Sequence, residues 1–181
     1  MKASVGLVLA AGSGTRFGGP KAPYEHNGER LVDRAVRLLH EAGCQEVHVV
    51  LGAWIGPVPG AHIIHNAEWE SGMGSSLRTG LKYLKKNTKA NRVVVMLVDL
   101  PGMTTEAIQR VMQHDAPVVI ATFDGKRGHP VVFNREYWKE ISKAAKGDSG
   151  ARKFLKKNIE MAELVECGDI ADGRDLDERP E

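Results

Sequence analysis

Four short runs of apolar, mostly β-branched residues constrain this chain more than any other feature: 4 to 10, Val47 to Leu51, Val93 to Val98 and Val118 to Ala121. Each is apolar nearly throughout, the pattern of strands covered on both faces. Between them lie helical spacings. The first is Leu31, Ala35, Leu38, Leu39 and Ala42, closed by Gly43 at a C-terminal cap position. The second is Leu77, Gly80, Leu81 and Leu84. A third, Ile108, Val111 and Met112, follows Thr104 and Thr105 as cap candidates, with Glu106 in the first turn where the helix dipole favours an anion. Trp138, Ile141 and Ala145 mark another helix, and a short one starts near Ser149 with Ala151, Phe154 and Leu155 on one side. Strand and helix in alternation predict an α/β protein, three-layer α/β/α around a mostly parallel sheet. His129 to Phe133 reads as an additional strand, which makes the sheet mixed, and its Pro130 favours an edge or a strand start.

At 181 residues the chain is expected to form one domain over 1–181. Apolar residues at 42% and charged residues at 27% exclude a disordered or fibrous protein. Lys and Arg number 25 against 23 Asp and Glu, a net +2 too balanced for the basic face that nucleic acids require. No run approaches the roughly 18 apolar residues of a membrane span, so neither a nucleic-acid nor a membrane partner is expected. Cys44 and Cys167 stand alone without C-x-x-C spacing, which fits a reducing cytoplasm better than a disulfide framework or a zinc knuckle. Lys2 and the apolar stretch Val5 to Ala11 imitate a short signal peptide, but that stretch leads straight into a glycine-rich loop and reads as the first strand.

The loop is Gly12-Ser13-Gly14-Thr15-Arg16-Phe17-Gly18-Gly19-Pro20-Lys21. A glycine-rich loop after a strand suits phosphate held by backbone N–H groups. It has no terminal Gly-Lys-Ser/Thr, so the Walker pattern fails. The dinucleotide fingerprint asks for glycine where Phe17 stands, and Pro20 obstructs the helix that should follow. What remains is a loop that adds two cations, Arg16 and Lys21, to backbone donors, which suits a nucleoside triphosphate under attack. Asp99 ends the run Val93 to Val98 and precedes Leu100-Pro101-Gly102. A carboxylate at the C-terminal end of a buried strand lies on the edge where open α/β sheets bind ligands. Facing a triphosphate, it is a natural Mg²⁺ ligand.

Leu9-Ala10-Ala11-Gly12-Ser13-Gly14-Thr15-Arg16 with Lys21 resembles the L-A-A-G-x-G-x-R…K signature of GT-A-type nucleotidyltransferases, which have a Rossmann-like fold. Narrower segments follow: Gly72-Met73-Gly74-Ser75-Ser76-Leu77, Asp99-Leu100-Pro101, Gly128-His129-Pro130, and Gly147-Asp148-Ser149-Gly150-Ala151-Arg152. Together they resemble the molybdenum cofactor cytidylyltransferase group of the MobA-like family. The resemblance implies Mg²⁺-dependent transfer of CMP from CTP to a molybdopterin-type cofactor with release of pyrophosphate, and a molybdoenzyme or its insertion chaperone as recipient. It implies that Leu9, Ala10, Ala11 and Gly12 line base and ribose, and that Ser13 and Gly14 complete the nucleotide loop. Arg16 and Lys21 would take the phosphates, Asp99 the metal, and Ser75 and Ser76 would sit near the base. His129, Asp148 and Arg152 would face the pterin. Chemically this coheres: the attacking phosphate is already ionised at neutral pH, so catalysis reduces to in-line positioning and charge neutralisation.

One departure concerns the metal. The family pattern D-I-D-T-P-E-D becomes Asp175-Leu176-Asp177-Glu178-Arg179-Pro180-Glu181, with an extra residue before the proline. Asp175 and Asp177 both stand as second metal carboxylates, on one side of an extended segment at i and i+2. The rival readings are guanylyl transfer to the same cofactor, sugar- or polyol-phosphate nucleotidyl transfer, and a carrier that binds nucleotide or cofactor without turnover. Ala10-Ala11-Gly12 argues against the guanylyl relatives, which usually read Ala-Gly-Gly. His62 and His65 are an odd number apart and on a strand would face opposite ways, so they are not expected to share a metal. Trp54, Trp69 and Trp138 are expected in core or rim and not as base-stacking platforms, although Trp69, close to Gly72, could border the pterin.

Overall fold

The computed structural model describes residues 3–180. The apolar runs form β1 (Ser4–Ala10), β4 (Glu46–Leu51), β6 (Arg92–Leu97) and β7 (Val118–Phe123), and a small hairpin supplies β2 (Glu25–His26) and β3 (Glu29–Arg30). Three more strands complete the sheet: β5 (His62–His65), β8 (Lys126–Asn134) and β9 (Ala162–Glu166). The seven-stranded order is β5-β4-β1-β6-β8-β7-β9. All neighbours pair in parallel except β8, which runs antiparallel to both β6 and β7. The mostly parallel, mixed α/β sheet is therefore as expected.

The helices are α1 (Leu31–Glu41), α2 (Met73–Asn87), α3 (Thr105–Met112), α4 (Trp138–Ala144) and α5 (Arg152–Lys157). Strand side chains alternate between faces, and the core divides accordingly. Val8, Ala10, Val94 and Met96 pack with α1 and α3, whereas Val5, Leu7, Leu9, Val93 and Val95 pack with α2 and α4. Thr104 caps α3 by accepting from the Ala107 N–H at 3.2 Å, and Gly43 follows α1 with φ +104. Trp138 is fully buried, its indole N–H donating to the Phe133 carbonyl at 3.1 Å.

Three expectations are corrected. Pro130 sits in an internal strand, not at an edge: β8 lies between β6 and β7. It fits there because pairing with β6 stops at Val131 and pairing with β7 slips between Ile120 and Thr122, so no ladder bond is asked of Pro130. The last short helix starts at Arg152, after a separate turn over Gly147–Ser149. Val98 falls just outside β6. No helix among the described residues is long and apolar enough to cross a membrane, and Cys44 and Cys167 are free and buried.

Candidate active site

Parallel register sets the site. Leu9 of β1 stands opposite Leu97 of β6, so the glycine loop after β1 and Asp99 after β6 leave the sheet at the same edge. The loop then folds back on itself. Gly19 donates its N–H to the Gly14 carbonyl at 3.0 Å, and Gly14, at φ +60, could carry no side chain because a Cβ would lie 2.0 Å from the Gly19 oxygen. That return brings Lys21 inward, and its Nζ donates to Asp99 Oδ2 at 2.6 Å, with 17% and 16% of the two side chains exposed.

The acidic C-terminal segment is bound as a strap across this junction. The Asp172 N–H donates to the Gly102 carbonyl at 3.0 Å and the Leu176 N–H to the Asp99 carbonyl at 2.9 Å. Asp177 Oδ1 stands 4.0 Å from Lys21 Nζ. Arg179 donates to the Gly18 carbonyl at 3.3 Å and lies 5.4 Å from the Phe17 ring centre and 5.6 Å from that of Tyr24, rings that meet edge to face. Asp175 is exposed on its outer side but lines a cavity within. Desolvation there, then the Asp99 and Asp177 carboxylates, raise its pKa above the ordinary value, against the pull of Lys21. Among the described residues no ready-made cluster of three or more metal ligands exists. Asp99 and Asp175 are a pair of hard oxygen donors with mutually repelling charge, and a divalent cation completed by phosphate oxygens and water fits that set.

Two cavities open along this edge. The larger, of about 730 Å³, has an apolar floor including Leu77, Val95 and Val131, with Arg127, His129, Arg152 and Lys156 around it. The smaller, of about 310 Å³, is lined by Ala11, Gly12, Ser13, Trp69 and Ser76. Leu9, Met73 and Asp148 belong to both. The dividing wall arises where the start of α2 meets the Gly147–Ser149 turn. A Cβ on Gly72 would lie 2.5 Å from Asp148 Oδ1, and one on Gly74 would lie 2.8 Å from the Gly147 oxygen. The glycines of the first motif are thus what let the second approach.

Ser75 and Ser76 are both buried, but their surroundings differ. Asn66, itself buried, donates to Ser75 Oγ at 2.8 Å and to Ser76 Oγ at 3.0 Å. Ser75 Oγ also lies 2.9 Å from the carbonyls of Glu68 and Gly72, so its hydroxyl is committed to holding the helix start. Ser76 lines the smaller cavity. His129 lines the larger one, and no hydrogen bond to its ring is formed among the described residues. Loss of solvent pushes its pKa down to about 4, opposed by Asp99 and assisted by Arg152, so the imidazole is neutral at pH 7.

The structure therefore gathers Lys21, Asp99, Asp175 and Asp177 at one junction, with Arg16 on the adjoining loop, exposed. His129, Asp148 and Arg152 share the larger cavity. Sequence reasoning passed over Asn66, Arg127, Lys156 and Arg179. Lys156 had a signal, since it follows Arg152 by four residues on a helix. Arg127 had one in its place two residues before His129. Asn66 and Arg179 had none, being single polar residues in irregular segments.

A profile of the MobA-like NTP transferase domain matches residues 6–163. The chain is 35% identical over 188 residues to nicotine blue oxidoreductase of Paenarthrobacter nicotinovorans, covering 95% of this chain and 91% of that protein. It is 26% identical over 164 residues to a probable molybdenum cofactor guanylyltransferase of Geobacillus sp. strain WCH70, covering 86% and 82%. The crystal structure of Rv0371c from Mycobacterium tuberculosis H37Rv superposes with a TM-score of 0.78 at 22% identity, covering 96% and 93%. A structure of Rv0371C in complex with manganese superposes at 0.74 with 20% identity, covering 92% and 89%. These structural likenesses speak to the fold alone.

Proposed function

The chain belongs to the family of MobA-like NTP transferase domains, and from that membership we propose that residues 1–181 act as a single Mg²⁺-dependent domain transferring CMP from CTP to a molybdopterin-type cofactor. The observation that carries this reading is the junction of Lys21, Asp99 and Asp175 beside the glycine loop, with Asp175 on the lining of the larger of two cavities that open along this edge. The smaller takes the base, against Ala11, Gly12 and Ser76; the larger takes the acceptor, against His129, Asp148 and Arg152.

Asp99 and Asp175 would hold the metal, with Asp177 in reserve on the outer side, 64% exposed. When bound, the metal would neutralise charge on the triphosphate and the attacking group. The chain's own residues do the rest. Backbone N–H groups of the loop around Ser13 and Gly14, with Arg16 and Lys21, bind the β- and γ-phosphates and stabilise departing pyrophosphate. The acceptor's terminal phosphate oxygen, held in line from the larger cavity, attacks the α-phosphorus. The new P–O bond forms as the α–β bridging bond breaks, and pyrophosphate leaves with the bond's electron pair. No protein base is required because the nucleophile is already anionic, consistent with a neutral His129 that positions and does not titrate near pH 7. The product would pass to a molybdoenzyme or its insertion chaperone in the cytoplasm.

The test is anaerobic incubation of the purified protein with molybdenum cofactor, Mg²⁺ and each of the four nucleoside triphosphates, scoring pyrophosphate and nucleotidylated pterin. Product from CTP supports the reading, and product from GTP keeps the mechanism while overturning the base assignment. A second reading, an oxidoreductase activity, is favoured by the 35% identity to nicotine blue oxidoreductase. It gains if no triphosphate reacts and a reduced nicotinamide dinucleotide is consumed instead.

A further inference from the structure

Of the twelve arginines, nine are committed through their guanidinium groups. Arg30, Arg37, Arg110 and Arg174 bond carboxylates. Arg34, Arg78, Arg92, Arg135 and Arg179 bond backbone carbonyls. Arg16, Arg127 and Arg152 form no side-chain hydrogen bond or ion pair among the described residues, and two of these three line the larger cavity. Lys156 joins them there, also unpaired among the described residues and four residues beyond Arg152 on α5, hence on the same helical face. Arg127 comes from a different element, at the start of β8 just after the tight turn at Asp124 and Gly125, both at positive φ.

From this we infer that Arg127, Arg152 and Lys156 form an oxyanion subsite for the acceptor, separate from the cations on the nucleotide loop. The inference rests on the transferase reading for the word acceptor, not for the subsite itself. Two carboxylates line the same cavity, Asp148 and Asp175, and neither comes within ion-pair distance of the three cations. Arg127, Arg152 and Lys156 are all exposed, so water screens each one singly, but like charges gathered along one cleft add their potentials and draw an anion into it. A planar guanidinium presents a donor fork suited to phosphate-type oxygens, and two of them, from β8 and α5, line this one cavity. The cavity, at about 730 Å³, is larger than one oxyanion needs. The chemical class this selects is a molecule with a phosphate-like tetrahedral oxyanion on a largely apolar or planar body. The oxyanion is either the reacting phosphate or a second anionic group at the acceptor's other end.

The test is calorimetric titration of the whole protein with inorganic phosphate and with molybdate, alone and with Mg²⁺ and a non-hydrolysable CTP analogue already bound. Wild type should bind one oxyanion in both states. R127Q and R152Q should each weaken it about tenfold, while K156Q weakens it less and the analogue's Kd stays unchanged in all three; R152K should recover part of the loss. Equal melting temperatures exclude misfolding as the cause. The inference is overturned if phosphate and molybdate bind only when the analogue is absent, or if the variants bind them as wild type does. Failure of the analogue to bind would instead sink the transferase reading, and the titration without nucleotide would still report on the subsite. Steady-state kinetics with molybdenum cofactor then separates the sources. A rise in KM alone marks a second anionic group, and a fall in kcat as well marks the reacting phosphate.

Discussion

At the junction beside the glycine loop, Lys21 is paired with Asp99 at 2.6 Å and Arg179 rests on Phe17, Tyr24 and the Gly18 carbonyl. In the larger cavity, Arg127, Arg152 and Lys156 share the lining with an apolar floor and with Asp148 and Asp175, neither of which is within ion-pair distance of them. The nucleotide half keeps its shape without ligand because its charges satisfy one another, so binding there must exchange partners: Asp99 gives up Lys21, and Lys21 turns to phosphate. The acceptor half has nothing to exchange, and its field is available at once. A paired site gains discrimination, since only a ligand bringing both an anion and a cation replaces both partners. An unpaired, exposed site gains attraction that added salt screens.

The largest break in this contrast should come from Asp99→Asn. It removes a metal oxygen and leaves Lys21 unpaired, and turnover should fall by about 100-fold or more, measured as pyrophosphate release, with the fold retained by circular dichroism. Asn66→Ala strikes the wall between the halves. Two buried hydroxyls lose their donor, which should cost about 1 to 3 kcal/mol and lower Tm on the order of 5 °C in a thermal melt. Arg179→Ala loosens the strap and should raise the Mg²⁺ concentration needed for half-maximal nucleotide binding by roughly three- to tenfold, with oxyanion binding in the larger cavity unmoved. An equal effect on both would mean that the halves are not separate.

The smallest effect is in pH. His129 has a pKa of about 4 against an ordinary 6.5. The folded state resists protonating it, so the stability tied to the neutral ring is complete above pH 6.5 and is lost as pH falls toward 4. His129→Gln should therefore lose less Tm than wild type between pH 7 and 4.5, once the pH-independent difference is subtracted. Identical pH profiles would place the ring in water.

Much of the nucleotide half is written in local sequence. β1 and β6 are continuous apolar runs, the glycines after β1 are dense, and Asp99 follows β6 directly, so topology alone brings them together. The sheet edges are another matter. β5 reads His-Ile-Ile-His and β9 Ala-Glu-Leu-Val-Glu; as edge strands they carry polar residues that dilute the apolar signal, and only pairing to β4 and β7 makes them strands. Pro130 misled for a related reason, since the slip in β7 pairing that accommodates it exists only in the assembled sheet. In the tail, Asp175 and Asp177 were legible as metal candidates, but Arg179 was not, because its partners Phe17, Tyr24 and Gly18 lie at the other end of the chain.

The central claim is that the paired half receives a metal-bound nucleoside triphosphate. It is tested most directly by titrating wild type and the Asp99→Asn variant with CTP, with and without Mg²⁺, following Trp69 fluorescence at the smaller cavity. Saturation in wild type that weakens at least about tenfold without Mg²⁺ or in the variant is the predicted result. CTP and GTP binding that ignores both Mg²⁺ and Asp99, or saturation by a reduced nicotinamide dinucleotide and by no triphosphate, would contradict it.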